Sequence, residues 1–373
     1  MDNQIISVRQ DDKSYTKMYV YYAKNNTSGS ILLLHEMCEH HERFNDFINH
    51  LVKNGYDVFT YDMRGHGAGI RFEELGHISV SYGWQLLLDD AETVLQYIMK
   101  NNRSSRTLLF GHGIGACIAL SIVSEHRDID ACICSGIHNY SDSKLRKLSF
   151  KTNMVRKAKG PDHYSPYLSE KFTNFSEFLK ISDRTAYDWI SRDNKAVGAY
   201  INDPLCGFVC TTSFYSDMLK IISLSTSKRY PHRIRQDMPL LFISGSADPI
   251  TGYGDNVISL FDSYEHSLEK VDCIIYDECR HDLLHEINRD SVMKDLTDWL
   301  AKMLYATVPA AAAAAQAGSS SAHHKDAPKP AAQQKKKAET AAAPVLEAVD
   351  DNDSDETIKN LGFFERKKDN HKK

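Results

Sequence analysis

The stretch LLFGHGIGACIAL, residues 108–120, constrains the fold of this chain more than any other. It reads as a strand, a tight glycine turn and the start of a helix. The turn is Gly111-His112-Gly113-Ile114-Gly115. A sharp strand-to-helix turn holds its central residue in a strained conformation, and glycine takes up positive φ without steric cost. Gly113 stands at that centre.

The same rhythm of apolar run and amphipathic helix recurs along the chain. SILLLHE, YDVFTYD, RTLLFGH, IDACICSG, PLLFISG and VDCIIYD are short apolar runs bounded by turn residues. Continuous apolar strands suit a parallel sheet covered on both faces. Between them, Trp84, Leu88, Ala91, Leu95 and Ile98 share one helical stripe, and Val292, Leu296, Trp299, Leu300 and Met303 share another. The pattern predicts an α/β fold with a doubly wound, mostly parallel sheet. From about Asn139 to Asp237 strands give way to helical and loop patterns. An insertion of that length reads as a cap over the strand ends, where such folds bind ligands. The expected organisation is a core of residues 1–138 and 238–307, a helical cap at 139–237, and a tail at 308–373. The tail is rich in Ala, Lys, Gln and Ser with almost no large apolar residue, and reads as disordered. Phe363 and Phe364 within it suggest a docking motif for a protein partner.

Bulk properties narrow the function. With 42% hydrophobic and 25% charged residues the chain has a globular composition. A formal net charge of −5 gives no global attraction to nucleic acid. The first residues carry no basic and apolar leader, and no apolar run approaches the roughly 20 residues of a membrane span. The expected location is the cytoplasm. The eight cysteines are scattered through apolar segments and read as free thiols. Cys132 and Cys134 are read as facing opposite sides of a strand, which argues against a shared metal.

The chemistry-bearing stretches each follow a predicted strand: LLLHEMCEHHERF, YDMRGHGAG, the glycine turn, SGSADP and ECRHD. Together they resemble the lysophospholipase and monoacylglycerol-lipase group of α/β-hydrolases. That group's first loop, H-G-x-x-E-H, corresponds to His35-Glu36-Met37-Cys38-Glu39-His40, and its D-x-R-G-H-G turn to Asp62-Met63-Arg64-Gly65-His66-Gly67. YDWISRDNKAVGAYINDPLCGF looks like the cap of the bacterial lysophospholipase branch, and DECRHDLLHEINRDSV resembles its histidine loop. The resemblance spans about residues 10–305. It implies an α/β-hydrolase fold with Asp248 orienting His281, and His281 as general base and acid. It further implies an oxyanion hole from the backbone N–H groups of Met37 and Ile114. It implies as ligand a small acyl ester or monoacyl lipid, with peripheral membrane contact through the cap, and neither cofactor nor metal.

The chain departs from this pattern at two positions. Gly113 replaces the serine whose hydroxyl would attack, a loss that typically costs roughly a million-fold in turnover. Glu36 replaces a glycine in the first loop; if the backbone there needs positive φ, a side chain strains or rearranges the loop, and its charge would oppose a developing oxyanion. The reading is therefore a binding protein with at most slow hydrolysis. Two alternatives stay open: hydrolysis by water or Cys38 with the Asp248–His281 pair, and an interaction protein acting through its tail. Cys117, one helical turn past Gly113, reads as a buried core thiol. The cluster His35, Cys38, His40 and His41 invites a metal reading, but no second ligand cluster has zinc spacing.

Overall fold

Six of the eight strands are the apolar runs noted above, and each is buried or half-buried along its length because helices cover both faces of the sheet. A computed structural model describes residues 3–173, 184–227 and 230–305 of the chain. The segment 308–373, including Phe363 and Phe364, lies outside the described residues.

The strands are β1 (Gln4–Arg9), β2 (Tyr15–Tyr21), β3 (Gly29–Leu34), β4 (Tyr56–Tyr61), β5 (Thr107–His112), β6 (Ala131–Ser135), β7 (Leu240–Gly245) and β8 (Val271–Tyr276). Their order in the sheet is β1-β2-β4-β3-β5-β6-β7-β8. From β4 to β8 all pairings are parallel; β1 and β2 add an antiparallel hairpin at one edge. The helices are α1 (Asn45–Lys53), α2 (Gly83–Asn101), α3 (Ile114–Val123), α4 (Asp142–Lys159), α5 (Pro166–Thr173), α6 (Asn194–Asn202), α7 (Thr212–Ser225), α8 (Asp255–Glu265) and α9 (Arg289–Tyr305). This is an α/β-hydrolase fold.

Two apolar layers sandwich the sheet. On one side Leu87, Ala91, Val94, Leu95 and Ile98 of α2 pack with the wholly buried α3 and with Phe214, Met218 and Ile222 of α7. On the other, α1 and α9 cover the opposite face through Phe47, Leu51, Val292, Leu296 and Leu300. Helices α4 to α7 all come from the chain between β6 and β7. No strand occurs there among the described residues; an isolated bridge pairs Tyr164 with Thr211.

One expectation fails on strand geometry. Cys132 and Cys134 face the same side of β6, their sulfurs 3.9 Å apart, because side chains two residues apart on a strand share a face. All eight cysteines are free thiols.

Candidate active site

The site collects at the carboxyl ends of β3, β5, β6, β7 and β8, where a parallel sheet leaves its loops free to carry side chains. The turn after β5 has the predicted form. Gly113 sits at φ +55° and ψ −114°, and helix α3 starts at the next residue, Ile114. After β7, buried Asp248 accepts the N–H of Ile250 through Oδ1 (2.8 Å) and bonds His281 Nδ1 through Oδ2 (2.9 Å). The loop after β8 carries His281, which is 2% exposed. Gly136, at φ +56°, makes room for that ring: a Cβ there would fall 2.8 Å from His281 Cε1. His112 lies against the same ring, centroids 4.7 Å apart, and Trp189 packs on it at 5.5 Å. The structure thus brings Asp248, His281, Gly113, Met37 and Ile114 to one place.

What fills that place is Glu36. Its Oε1 accepts the N–H of Met37 at 2.5 Å and its Oε2 the N–H of Ile114 at 3.1 Å. Oε2 also bonds His138 Nε2 at 2.9 Å and lies 3.5 Å from His281 Nε2. A Cβ built on Gly113 would overlap Oε2 itself, so the carboxylate occupies the volume a side chain at 113 would need. One expectation about Glu36 is corrected here. The positive φ of this loop falls on Cys38 (+58°), and Glu36 is not among the residues of positive φ. In the structure its charge is surrounded by two N–H groups and two imidazoles. Burial alone would raise the Glu36 pKa, but His138 and His281 hold it well below the ordinary carboxylate value. Burial alone would lower the His281 pKa, but the Asp248 and Glu36 carboxylates push it up to about 10.

The remaining polar residues of these motifs hold loops in place. His35 bonds Glu36 O through Nδ1 (2.7 Å) and accepts the Met63 N–H through Nε2 (3.0 Å). His41 bonds Asp62, and His40 bonds Asp203, each at 2.8 Å. His66 Nε2 accepts the Cys38 N–H at 3.1 Å, and Arg64 pairs with Asp90 and Asp12. The cluster His35, Cys38, His40, His41 therefore does not converge as ligands. Arg43, buried, ties Glu39 (2.8 Å) to Asp282 (2.7 Å), and Glu39 Oε1 accepts the Glu36 N–H at 2.8 Å. That clamp fixes the loop from which Glu36 projects.

The two candidate thiols are poorly suited to attack. Cys38 Sγ lies 3.4 Å from Cys210 Sγ and 3.4 Å from Phe208 O. Contact with Cys210, together with burial, keeps its pKa well above the ordinary thiol value. Cys117 is buried in α3, and burial pushes it up to about 12. Two residues escaped the sequence reading: His138, and Tyr140, whose hydroxyl meets His138 Nδ1 at 2.9 Å. The available signal was position, for SGIHNY follows directly on β6 as each recognised motif follows its own strand. A cavity of about 50 Å³ opens beside Glu36 and His281, walled by Cys38, Tyr187, Trp189, Tyr200 and Phe208.

Residues 25–288 match the family described as serine aminopeptidase, S33, and the chain belongs to that family of α/β-hydrolases. An uncharacterized abhydrolase domain-containing protein of Dictyostelium discoideum is 21% identical over 314 residues, which are 82% of this chain and 30% of that protein. The chain spans less than a third of the length of the curated relatives it matches. A thermostable carboxyl esterase from Bacillus coagulans shares the fold with a TM-score of 0.72 at 20% identity, over 82% of this chain and 99% of that one. A monoglyceride lipase from Saccharomyces cerevisiae, solved with a substrate analog, does so with a TM-score of 0.64 at 17% identity, over 81% and 97%.

Proposed function

We propose that this member of the S33 family binds a small acyl ester or monoacyl lipid in the cleft and performs no serine-type acyl transfer. The observation that carries the reading is the seating of Glu36. Both N–H groups that would receive a developing oxyanion already donate to its carboxylate, and residue 113 offers no hydroxyl. An ester carbonyl reaches those donors only if Glu36 leaves, and leaving separates a buried carboxylate from His138 and His281. Breaking such a pair costs about 3–5 kcal/mol. Even with Glu36 displaced, the lost serine removes roughly a million-fold of turnover.

The esterase and monoglyceride lipase likenesses support acyl esters as the ligand class. Residues 139–237 act in this reading as a cap that admits the ligand. A cavity of about 50 Å³ holds only a few waters, so an acyl chain requires Trp189, Tyr200 and Phe208 to part. The Cys38 and water alternatives gain no support: the thiol is pushed up in pKa, and His281 between two carboxylates holds its proton rather than accepting one.

The test is direct. A fluorophosphonate probe should leave the protein unlabelled, and a panel of short and long acyl esters should show no turnover above that of His281→Ala. A monoacylglycerol should nevertheless protect the segment around Trp189 and Phe208 from hydrogen exchange. Ordinary hydrolysis by the unmodified protein, abolished by His281→Ala, would overturn the reading.

A further inference from the structure

Going beyond acyl-ester binding, we propose that Glu36, His138 and His281 form a binding site for a divalent transition-metal ion, with zinc the best match. Glu36 Oε2, His138 Nε2 and His281 Nε2 all lie within 4.8 Å of one another. Their individual separations of 2.9 Å and 3.5 Å from the carboxylate bracket the roughly 3.3 Å expected between ligands placed 2.0–2.1 Å from a tetrahedral zinc ion. His281 Nε2 is buried and faces the Glu36 carboxylate at 3.5 Å without a well-formed hydrogen bond, and a metal ion there would displace the proton that the ring otherwise holds.

The surroundings of each ligand match what metal sites require. Imidazole ligands usually give their remote N–H to a carboxylate or another acceptor, which fixes the ring and turns the other nitrogen's lone pair inward. Here Asp248 Oδ2 meets His281 Nδ1, and the Tyr140 hydroxyl meets His138 Nδ1, each at 2.9 Å. The Met37 and Ile114 N–H groups orient the carboxylate in the same manner. Two imidazoles and one carboxylate suit zinc and its transition-metal neighbours; magnesium and calcium prefer oxygen alone. Three protein ligands leave a fourth position, and Glu36 and His281 both border the cavity. A zinc ion with an open position lowers the pKa of its bound water toward 7. That water would stand beside Gly113, whose side-chain volume the Glu36 carboxylate occupies.

The experiment needs no substrate, so its failure is separable from failure of the acyl-ester reading. The full chain, stripped with a chelator and dialysed, is titrated with Zn²⁺ by calorimetry and with Co²⁺ by visible absorption. We expect one saturable equivalent, a cobalt spectrum of tetrahedral intensity, and a zinc-dependent rise in melting temperature. His138→Ala should weaken binding more than about 100-fold, and Tyr140→Phe about 10-fold, the range seen when an outer partner is lost. Tyr140→Phe keeps the core packing and so remains informative if His138→Ala fails to fold. A second cluster, His40, Asp203 and Cys206, serves as control. Uptake that survives His138→Ala but disappears in Asp203→Asn would overturn the proposal. So would the absence of saturable uptake in the unmodified chain.

Discussion

The two halves of the cleft are built differently. After β7 and β8, Asp248 and His281 stand 2.9 Å apart, in the arrangement a hydrolase of this fold uses to hold an imidazole. After β3 and β5, position 113 carries no side chain, and the Glu36 carboxylate fills the space one would take. The first half keeps a carboxylate–imidazole pair, whereas the second is built around a fixed negative charge. The contrast teaches that a cleft can keep its packing and hydrogen bonding while the centre of its chemistry is replaced, provided the replacement satisfies the same donors.

The strongest way to break this comparison is to reverse the altered half. The double variant Gly113→Ser with Glu36→Gly should gain fluorophosphonate labelling and esterase activity that His281→Ala abolishes. A freed oxyanion donor alone is worth roughly 10²–10³-fold. If the double variant stays inert toward every ester tried, the Asp248–His281 half has decayed as well, and the two halves are not so different.

A smaller effect concerns stability. Glu36→Gln keeps the shape but leaves His138 and His281 without their shared charge, and should cost about 3–5 kcal/mol. Chemical denaturation measures this; a change below about 1 kcal/mol would mean that the carboxylate is not the centre of the cluster. Gly113→Ser alone should cost less, about 1–3 kcal/mol for the forced overlap, and show far less esterase activity than the double variant, because the shifted Glu36 carboxylate stays in the cleft. Activity matching that of the double variant would show that Glu36 swings aside freely.

Away from the cleft, Asp217 provides a buried carboxylate with weaker compensation, from the Trp84 and Gly83 backbone and the Arg156 charge. Its Oδ2 makes no hydrogen bond, and burial beside α2 pushes its pKa up to about 6. The folded protein therefore holds a proton that the unfolded chain releases near pH 4, and stability from this group falls as pH rises from about 4 to 6. Asp217→Asn should raise the melting temperature above pH 6, with the gain fading toward pH 4. A pH-independent effect would assign the change to packing instead.

Legibility in the sequence followed physical cause. The six parallel strands announce themselves because both faces are covered, which demands unbroken apolar runs. Strands β1 and β2 did not: they form an edge hairpin whose outer residues alternate between exposed and buried, and QIISVR carries too few apolar positions to stand out. Asp248, His281 and the Gly113 turn were legible because each sits where a strand meets its loop. The direction of the Glu36 side chain was not, since it depends on a loop whose positive φ falls two residues later, at Cys38. His138 was missed because its partner lies 102 positions away, and no local pattern couples the two.

The interlocked volumes of Gly113 and Glu36 also couple the two positions as sites of substitution. Serine at 113 collides while glutamate remains at 36, and glycine at 36 removes the carboxylate that His138 and His281 share while 113 stays bare. Each single change is harmful unless the other accompanies it, although the two together are compatible. Such sign epistasis makes the pair a unit: a random walk in sequence meets a valley on either single-step path between the two pairings.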